Sequence, residues 1–306
     1  MKTVLVTGVT GFLGRYTAAH YQSLGWQVCG IGTRAEENAP PGLARYTRME
    51  LPSTDLDDLV AKLAPEVCVH CAGRASVELS MTDPSADFRA GVDAVFNVLD
   101  ALRRHSPRCR VVFLSSAAVY GNPGRLPIAE SDTPRPISPY GFHKLIGEQL
   151  CLEFHRVYGL PTSAARVFSA YGPGLRRQVI WDVCRRALTE PVLTLRGTGE
   201  ESRDFIHARD VAAALVLIGE RADCQGEAYN IASGSETKMA ALSETILGKT
   251  GRLIPVEFDG VVHAGVPRNW RADVDKLMKI GFKPEIELDH GLETYAQWCH
   301  AEVFGQ

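Results

Sequence analysis

The chain contains no long apolar run, which argues against a membrane-spanning segment. Its longest apolar candidate, Ala212–Ile218, ends at a glycine and is far shorter than the roughly 20 residues that a membrane-spanning helix needs. The amino terminus also lacks the pattern of a signal peptide, because Lys2 precedes a short strand-like run and then a glycine-rich turn. These absences predict a cytoplasmic protein that does not cross a membrane.

An excess of positive charge is missing as well. The 306 residues include 33 Lys and Arg against 36 Asp and Glu, which gives a formal net charge of -3. Without a basic excess, nucleic acid and anionic membrane surfaces are poor candidates for partners. The chain is 45% hydrophobic, enough to bury a sizeable core. We therefore expect its partners to be small molecules or a second copy of itself.

The eight cysteines do not form the framework of a small disulfide-rich domain, because they are scattered through a long chain. Cys68 and Cys71 have a CxxC spacing, but they fall in a predicted strand, where successive side chains alternate between faces. No second pair follows that would complete a metal site. The pattern predicts reduced thiols, buried strand cysteines and no metal centre.

Strand-like apolar runs alternate with amphipathic helical patterns through the first half of the chain. The predicted strands are Thr3–Thr7, Gln27–Ile31, Val67–Cys71, Arg110–Ser115 and Thr162–Phe168, and the predicted helices are Gly11–Leu24, Asp55–Leu63, Ala86–His105 and Tyr140–Tyr158. Such alternation implies βαβ units and a doubly wound parallel sheet with helices on both faces. Beyond Tyr171 the rhythm weakens. We predict an α/β fold with a Rossmann-type dinucleotide-binding domain over residues 1–170 and a smaller mixed α/β substrate lobe over residues 171–306, with some chain crossing back between them.

A glycine-rich turn joins the first predicted strand to the first predicted helix and reads GVTGFLG from Gly8 to Gly14. Gly8 allows the tight turn, Gly11 lets the backbone approach a pyrophosphate, and Gly14 permits close packing of the helix on the strand. At the start of the predicted helix Gly11–Leu24, free N–H groups and the positive end of the helix dipole favour phosphate. Because strand, turn and helix occur together, the pattern predicts a dinucleotide site.

The end of the second predicted strand favours NADP(H) over NAD. An acidic residue there would hydrogen-bond the ribose 2′-hydroxyl, whereas this chain has Thr33 and Arg34. The guanidinium of Arg34, or of Arg15 just after the glycine turn, suits a 2′-phosphate. NAD remains open as the alternative, with Arg34 as a solvated loop residue and Glu36 or Glu37 at the ribose.

A tyrosine and a lysine four residues apart form the second candidate site. Tyr140 and Lys144 share one face of a predicted helix that Ser138 can cap and that Pro139 can begin. A lysine ammonium beside a phenol is expected to lower the pKa of the tyrosine from about 10 toward working pH. Tyr140 is therefore a candidate general acid or base. Ser116 lies at the end of a predicted strand, which is where open α/β sheets bind ligands.

Several motifs follow one another along nearly the whole chain. After the glycine turn come His70-Cys71-Ala72-Gly73, SSAAVYG from Ser115, PYGFHK from Pro139, RVFSAYGP from Arg166, RDFIH from Arg203, YNIASG from Tyr229, WRAD from Trp270 and GFKP from Gly281. With these motifs the chain resembles the extended short-chain dehydrogenase/reductase family, in its nucleotide-sugar epimerase, reductase and dehydratase branch.

The resemblance implies a role for each matching residue. Ser116 matches the catalytic Ser or Thr that holds the reacting sugar oxygen, Tyr140 the proton-transferring tyrosine, and Lys144 its partner. The residues expected at the cofactor are Gly8, Gly11, Phe12, Leu13, Gly14, Thr33, Arg34, Glu50, Leu51, Cys71, Ala72, Gly73, Tyr140, Lys144 and Val167. The residues expected at the substrate are Ser76, Ser116, Tyr140, Ser169, Thr194, Leu195, Arg196, Arg203 and His263.

Some of these residues have a more specific expected contact. The resemblance implies that Glu50 and Leu51 contact adenine and that 194–196 hold the base of the substrate's nucleotide. It also implies that Arg203 binds the diphosphate. An ion pair of Arg203 with Asp204 or Glu200 at the surface remains open as the alternative.

The chain departs from the family pattern at several positions. Sugar 4,6-dehydratases carry Asp-Glu after the catalytic hydroxyl, where this chain has Ala117 and Ala118, which cannot exchange protons. Dehydratase activity is therefore not expected. The further departures are Gly91 and Ser169 in place of Asn, and His263 in place of a second diphosphate arginine, with Arg268 and Arg271 close enough in sequence to substitute.

Two activities on a nucleotide-diphosphate sugar remain open. The missing acidic residue and Arg34 favour an NADP(H)-dependent reductase that reduces a 4-keto-hexose, with Tyr140 as the proton donor. The alternative is an NAD-dependent nucleotide-sugar 4-epimerase. A non-catalytic dinucleotide-binding regulator is the alternative of a different class, but a sensor need not keep Ser116, Tyr140 and Lys144. Neither the nucleotide nor the sugar is specified by these motifs.

The resemblance also implies a homodimer. The two long predicted helices, Ala86–His105 and Tyr140–Tyr158, would form a four-helix bundle between two subunits. His143, between the tyrosine and the lysine, is expected on the solvated surface of its helix.

Overall fold

A parallel sheet covered by helices organises the protein in a computed structural model, which describes residues 2–261 and 268–305. The strands are β1 (Thr3–Thr7), β2 (Gln27–Gly32), β3 (Arg45–Arg48), β4 (Val67–His70), β5 (Arg110–Ser116), β6 (Thr162–Val167), β7 (Ser169–Tyr171), β8 (Leu193–Leu195), β9 (Ser202–His207), β10 (Gln225–Ile231), β11 (Glu236–Lys238) and β12 (Val256–Phe258). The α-helices are α1 (Phe12–Ser23), α2 (Leu56–Leu63), α3 (Val77–Thr82), α4 (Pro84–Phe88), α5 (Ala94–His105), α6 (Pro139–Tyr158), α7 (Gln178–Thr189), α8 (Ala208–Arg221), α9 (Met239–Thr250), α10 (Asp275–Lys279) and α11 (Leu288–Phe304). No helix in these two ranges is long and apolar enough to cross a membrane.

The large sheet has seven parallel strands in the order β10-β6-β5-β4-β1-β2-β3. Strands β1, β4 and β6 are buried along nearly their whole length, as expected of strands that helices cover on both faces. The strand order reverses between β1 and β4, and open α/β sheets bind ligands at the carboxyl ends of the strands at such a point. The arrangement confirms the predicted Rossmann-type fold.

Helices α1 and α8 pack on one face of the sheet, and α2, α5 and α6 lie on the other. The first face buries a core that includes Val4, Val6, Val69, Val112, Val211, Leu215 and Ile218. The second face buries Leu5, Leu59, Val98, Leu102, Phe113, Cys151 and Phe154. Both layers are rich in β-branched and aliphatic side chains, because each strand of a doubly wound sheet presents one face to each layer.

A smaller C-terminal lobe contains α7, α9 and α11, the sheet β11-β9-β7 and the pair β12-β8. Its core includes Ile180, Val183, Leu193, Phe205, Leu242, Leu292 and Tyr295. Strand β10 lies beyond β9 in sequence, yet it pairs with β6 at the edge of the seven-stranded sheet. The chain therefore returns to the large sheet between two segments of the lobe.

The helix predicted over Ala86–His105 differs from the observed structure. Helical structure runs from Pro84 to His105, but a π-helical turn at Arg89–Asp93 separates α4 from α5. Such turns insert one extra residue into the hydrogen-bond ladder and often occur at functional sites. Strand β3 and helix α3 were not predicted, because β3 is a half-exposed edge strand of sequence RYTR and α3 has six residues.

Candidate active site

A cavity of about 330 Å³ opens at the carboxyl end of β1, beside the glycine turn. Its lining includes residues that the sequence predicted for the cofactor, namely Gly8, Gly11, Thr33, Arg34, Glu50, Leu51, Cys71, Ala72 and Gly73. Sequence reasoning missed the rest of the lining, which is Thr10, Ile31, Gly32, Met49, Ala90 and Ala94. The predicted cofactor residues outside this lining are Phe12, Leu13, Gly14, Tyr140, Lys144 and Val167.

The glycine turn is shaped as its spacing predicts. Gly8 has a φ of +65°, which a side chain would strain. A Cβ on Gly14 would lie 2.2 Å from the Gly8 carbonyl oxygen, so the glycine allows α1 to pack directly against the turn. Gly11 caps α1 and offers no side-chain acceptor to the first N–H groups of the helix. These N–H groups and the helix dipole suit an anion such as a pyrophosphate.

The cations near the second strand are arranged differently from the expectation. Arg15 donates from Nε to the Thr10 carbonyl at 3.2 Å and from Nη2 to the Asn38 carbonyl, so it braces the loop after β2. Arg48 donates from Nε to the Thr33 carbonyl at 3.2 Å. Arg34 is exposed and lines the cavity. Of the two guanidinium groups considered for a 2′-phosphate, that of Arg15 is therefore engaged with backbone carbonyls, whereas Arg34 lines the cavity.

Ser116 and Tyr140 meet at the carboxyl edge of the sheet. Ser116 ends β5, Tyr140 lies in the first turn of α6, and the Ser116 hydroxyl lies near enough to the phenol to lower the pKa of Tyr140. Ser138 Oγ accepts from the Gly141 N–H and Pro139 is the first helical residue, which confirms the predicted start of α6. The fold thus brings together a hydroxyl and a phenol that are 24 residues apart in sequence.

The prediction that the pKa of Tyr140 is lowered was wrong in direction. Burial raises the pKa of this phenol above its ordinary value of 10, although the Ser116 hydroxyl and the charge of Arg177 act the other way. The Lys144 ammonium lies 5.9 Å from the centre of the Tyr140 ring. Desolvation of the phenolate outweighs the effects of Ser116 and Arg177, and the Asp87 carboxylate also raises the pKa of Tyr140. Helical spacing alone gave no measure of that desolvation.

Lys144 is 7% exposed and donates from Nζ to the Leu114 carbonyl at 2.6 Å. The same nitrogen lies 4.9 Å from the centre of the Phe113 ring. Burial lowers the pKa of Lys144 from 10.5 to about 8, because the charged amine has lost its water. A Cβ built on Gly73 would lie 3.9 Å from Nζ, so the amine borders the wall of the cofactor cavity.

His143 does not lie on a solvated face, contrary to expectation. Its Nδ1 lies 2.6 Å from Oδ2 of Asp87, and the side chains are 13% and 3% exposed. The His143 ring also contacts the edge of Phe88, with ring centres 5.3 Å apart. A Cβ on Gly91 would lie 3.6 Å from the His143 Cβ, so the π turn packs against the helix that carries Tyr140. Sequence reasoning missed Asp87 because 56 residues separate the pair.

A buried polar network lies beside β5, the strand that ends at Ser116. Arg166 on β6 and Glu148 on α6 form an ion pair at 2.7 Å, with side chains 7% and 6% exposed. Glu148 also accepts from the Ser115 hydroxyl, next to Ser116. Arg166 donates from Nη1 to the Tyr120 hydroxyl at 2.8 Å. Buried networks of this kind are rigid when every group is satisfied, so β5, β6 and α6 are held in a fixed relation.

Arg203, predicted at the diphosphate, does not form an ion pair with Asp204 or Glu200. Its Nη1 donates to the Ser202 carbonyl at 2.7 Å and the Arg268 carbonyl at 3.0 Å, and its guanidinium lies 5.3 Å from the centre of the Trp270 ring. Burial lowers its pKa to about 10, which leaves it charged at neutral pH.

The other predicted substrate residues, and Val167 of the predicted cofactor set, occupy several elements. Ser76 caps α3, Val167 ends β6 opposite Ser116, and Ser169 in β7 lies in register with Phe205 of β9. Thr194 and Leu195 lie in β8, followed by Arg196, and Leu195 is buried in the core of the C-terminal lobe. His263 lies outside the described residues.

All eight cysteines are free. Cys68 is buried in β4, whereas Cys71 is half-buried and lines the cofactor cavity. Burial raises the pKa of Cys71 to about 12, so the thiol is neutral at physiological pH. Within residues 2–261 and 268–305, no group of three or more His, Cys, Asp or Glu side chains is arranged to hold a metal ion.

Comparisons with known proteins point to one enzyme family. The model of the NAD dependent epimerase/dehydratase family matches residues 4–232. A putative UDP-glucose 4-epimerase of Methanocaldococcus jannaschii is 29% identical over 303 residues, which is 96% of this chain and 97% of that protein. The solved structure of MoeE5 in complex with UDP-glucose and NAD has a TM-score of 0.89 and 31% identity, covering 98% of this chain and 99% of that chain. A UDP-N-acetylglucosamine 4-epimerase from Methanobrevibacter ruminantium M1 has a TM-score of 0.90 and 28% identity, with the same coverage.

These relatives favour the epimerase alternative over the NADP(H)-dependent reductase that the sequence favoured. The two named enzymes are 4-epimerases, one of them putative, and the MoeE5 structure contains NAD. The preference for NADP(H) depended on Arg34 and Arg15. Arg34 is an exposed side chain and Arg15 braces a loop. The charge of these two residues is therefore a weaker guide to the cofactor than the relatives are.

Proposed function

This chain belongs to the NAD dependent epimerase/dehydratase family, of the extended short-chain dehydrogenase/reductase type, and we propose that it is an NAD-dependent 4-epimerase of a UDP-sugar. The observation that carries the proposal is the Ser116 hydroxyl close to the Tyr140 phenol, beside a cavity lined by the glycine turn. The 4-epimerases among its relatives support the reaction, and the UDP-sugars in their names support the substrate class.

The cavity fits a dinucleotide on its own features. Gly8 and Gly11 line the cavity without side chains, which leaves room for a pyrophosphate at their backbone, and the N–H groups at the start of α1 have no side-chain cap. Glu50 and Leu51 line the part of the cavity proposed for adenine. At the other end, Gly73 separates the cavity from the Lys144 amine, which is proposed to hold the nicotinamide ribose. Bound there, NAD would supply the hydride acceptor for oxidation of the sugar at C4 and the hydride donor for its reduction from the other face.

Side chains of the protein transfer the proton of the sugar 4-hydroxyl. Ser116 orients the 4-hydroxyl of the sugar. The Tyr140 side chain, as a phenolate, takes the hydroxyl proton as C4 is oxidised, and the resulting phenol returns it as C4 is reduced. Burial raises the pKa of Tyr140, so the phenol acts as a base only with help from nearby positive charge, of which Arg177 is one source. Ala117 and Ala118 follow Ser116 and are buried, so no second acid or base follows the hydroxyl for dehydration chemistry.

The substrate's diphosphate is proposed to bind Arg203. This guanidinium is held by two carbonyls and by the Trp270 ring, and it stays charged at neutral pH. An arginine has five N–H donors, so these contacts leave donors for phosphate oxygens.

Identification of the retained cofactor tests the proposed reaction. The purified protein is denatured and the released dinucleotide is identified by mass spectrometry, and the intact protein is incubated with UDP-glucose and UDP-N-acetylglucosamine. We expect NAD and the 4-epimer of at least one sugar. Release of NADP would contradict the cofactor assignment. Retention of NAD without conversion of any UDP-sugar would favour the non-catalytic regulator.

The role of Tyr140 has a matched control on the same helix. Tyr140→Phe should lower turnover by about 10²-fold or more, because general acid–base catalysis contributes about that much, while bound NAD is retained. Tyr158→Phe removes a hydroxyl from an exposed tyrosine of α6 and should leave turnover within about twofold of the wild type. Equal activity of the Tyr140 variant and the wild type would reject the mechanism.

A further inference from the structure

The first turn of α6 is held by more than its own cap. Pro139 has no N–H, the Gly141 N–H donates to the Ser138 hydroxyl at 3.2 Å, and the Phe142 N–H donates to the Ser138 carbonyl at 3.0 Å. The remaining N–H, that of Tyr140, donates to Ser80 Oγ at 3.1 Å. The backbone of the proposed catalytic tyrosine is thus bonded to a side chain 60 residues earlier in the sequence.

Ser80 is built into this position. The residue is fully buried in α3, and its hydroxyl donates to the Val77 carbonyl at 2.6 Å while it accepts from Tyr140. Since a serine hydroxyl has one hydrogen to donate, the bond to Val77 fixes its direction and leaves a lone pair for the Tyr140 N–H. A buried N–H without such a partner is destabilising, because it has given up its hydrogen bond to water. The contact is therefore specific.

The segment around Ser80 lies between the two proposed ligand sites. It follows Gly73, which lines the cofactor cavity, and it contains Ser76, which caps α3 by accepting from the Leu79 N–H at 3.2 Å. The Ala75 carbonyl accepts from Nη1 of Arg177, at the start of α7 in the C-terminal lobe. Residues 73–80 therefore connect the cofactor cavity, the C-terminal lobe and the first turn of α6.

We propose that Ser80 is a positioning residue for Tyr140. Ser80 holds the start of α6 against residues 73–80, so that the phenol stays close to Ser116 and in reach of the sugar. The proposal rests on the proposed epimerase function for its effect on turnover. Its physical basis is that first-turn residues of a helix fray easily, whereas proton transfer and hydride transfer need fixed distances. A shift of about 1 Å at a reacting group can reduce a rate by about 10²-fold.

The first test removes the acceptor with Ser80→Ala in the protein with its retained cofactor. We expect kcat to fall by about tenfold or more, while KM for the UDP-sugar and the amount of bound NAD stay within about twofold. Ser243→Ala is the matched control, because Ser243 is also a buried helical serine that donates to carbonyls of its own helix. The control should match the wild type in kcat. Ser80→Thr keeps the hydroxyl and should recover most of the lost kcat.

Hydrogen exchange provides a measurement that does not depend on turnover. In the wild type the Tyr140 amide should exchange slowly; in Ser80→Ala it should exchange at least about tenfold faster, with the middle of α6 unchanged. If the wild type converts no UDP-sugar, the epimerase proposal fails and the exchange experiment alone decides the role of Ser80. Unchanged kcat in Ser80→Ala of an active enzyme, or unchanged exchange at Tyr140, would overturn the positioning role. A parallel loss of kcat, bound NAD and melting temperature would also overturn it.

Discussion

At the scale of single residues, burial acts against the charged forms that the chemistry needs. It raises the pKa of Tyr140 and lowers that of Lys144 to about 8, so neither phenolate nor ammonium is favoured by its surroundings. The sequence predicted the spacing of the two residues on one helix. It did not predict the direction in which the pKa of Tyr140 shifts, because desolvation depends on which atoms of distant segments cover the ring.

The buried Lys144 should reduce stability in a pH-dependent way. Between pH 8 and 10.5 the unfolded chain keeps a proton on this amine that the folded protein has lost, so wild-type stability rises with pH in that window. Lys144→Met has no such dependence. The variant should be more stable than the wild type at pH 7, by about 1–3 kcal/mol, and the difference should shrink toward pH 10.5. Urea unfolding at pH 7 and pH 10 measures both values.

The control for this prediction is the exposed Lys62 of α2. Lys62→Met should change the free energy of unfolding by less than about 0.5 kcal/mol. A wild type that is more stable than Lys144→Met at pH 7, or a difference that does not change with pH, would contradict the prediction.

At the scale of elements, the residues of turns and helix caps predicted the two local structures on which the site is built. The glycine turn and the start of α6 have the structure that their residues predict. The π turn at Arg89–Asp93 was not predicted, since the apolar periodicity of 86–105 is that of a continuous helix. What distinguishes this segment is packing against α6, through Asp87 and His143, and long-range packing is not part of a local pattern.

Two helical glycines should respond oppositely to alanine. In Gly14→Ala the new Cβ would lie 2.2 Å from the Gly8 carbonyl oxygen, so α1 must move off the turn. We expect loss of bound NAD and destabilisation by about 1–3 kcal/mol. A Cβ on Gly248 in α9 would have no atom within 4 Å, so Gly248→Ala should keep NAD and gain up to about 1 kcal/mol. Thermal unfolding and the dinucleotide content of both variants are measured; equal behaviour would contradict the packing argument.

At the scale of the whole molecule, α5 and α6 carry apolar side chains that the chain itself leaves exposed. Phe142, Ile146 and Val157 follow one stripe of α6, and Phe96 of α5 is also exposed. Exposed apolar patches of this kind often mark interfaces. They agree with the homodimer that the family resemblance implies, in which these two helices meet their copies.

Light scattering should therefore give about twice the chain mass of 33.4 kDa. Ile146→Glu places a charge in the stripe and should yield monomers, because an unpaired buried charge is costly. Leu253→Glu changes a fully exposed leucine outside these helices and should stay dimeric. A wild type of 33.4 kDa at working concentration would reject the dimer.

The sequence by itself predicted the alternation of strands and helices in the first half of the chain, the parallel sheet and the glycine turn, because these follow from local periodicity, caps and turn residues. It also predicted catalytic roles for Ser116, Tyr140 and Lys144, through motifs that resemble those of the family. Only the tertiary structure decided how deeply these groups are buried, that Ser80 holds the Tyr140 backbone, and that Arg15 braces a loop. Those facts depend on contacts between segments far apart in the chain, and desolvation and hydrogen-bond partners are set only when such segments meet.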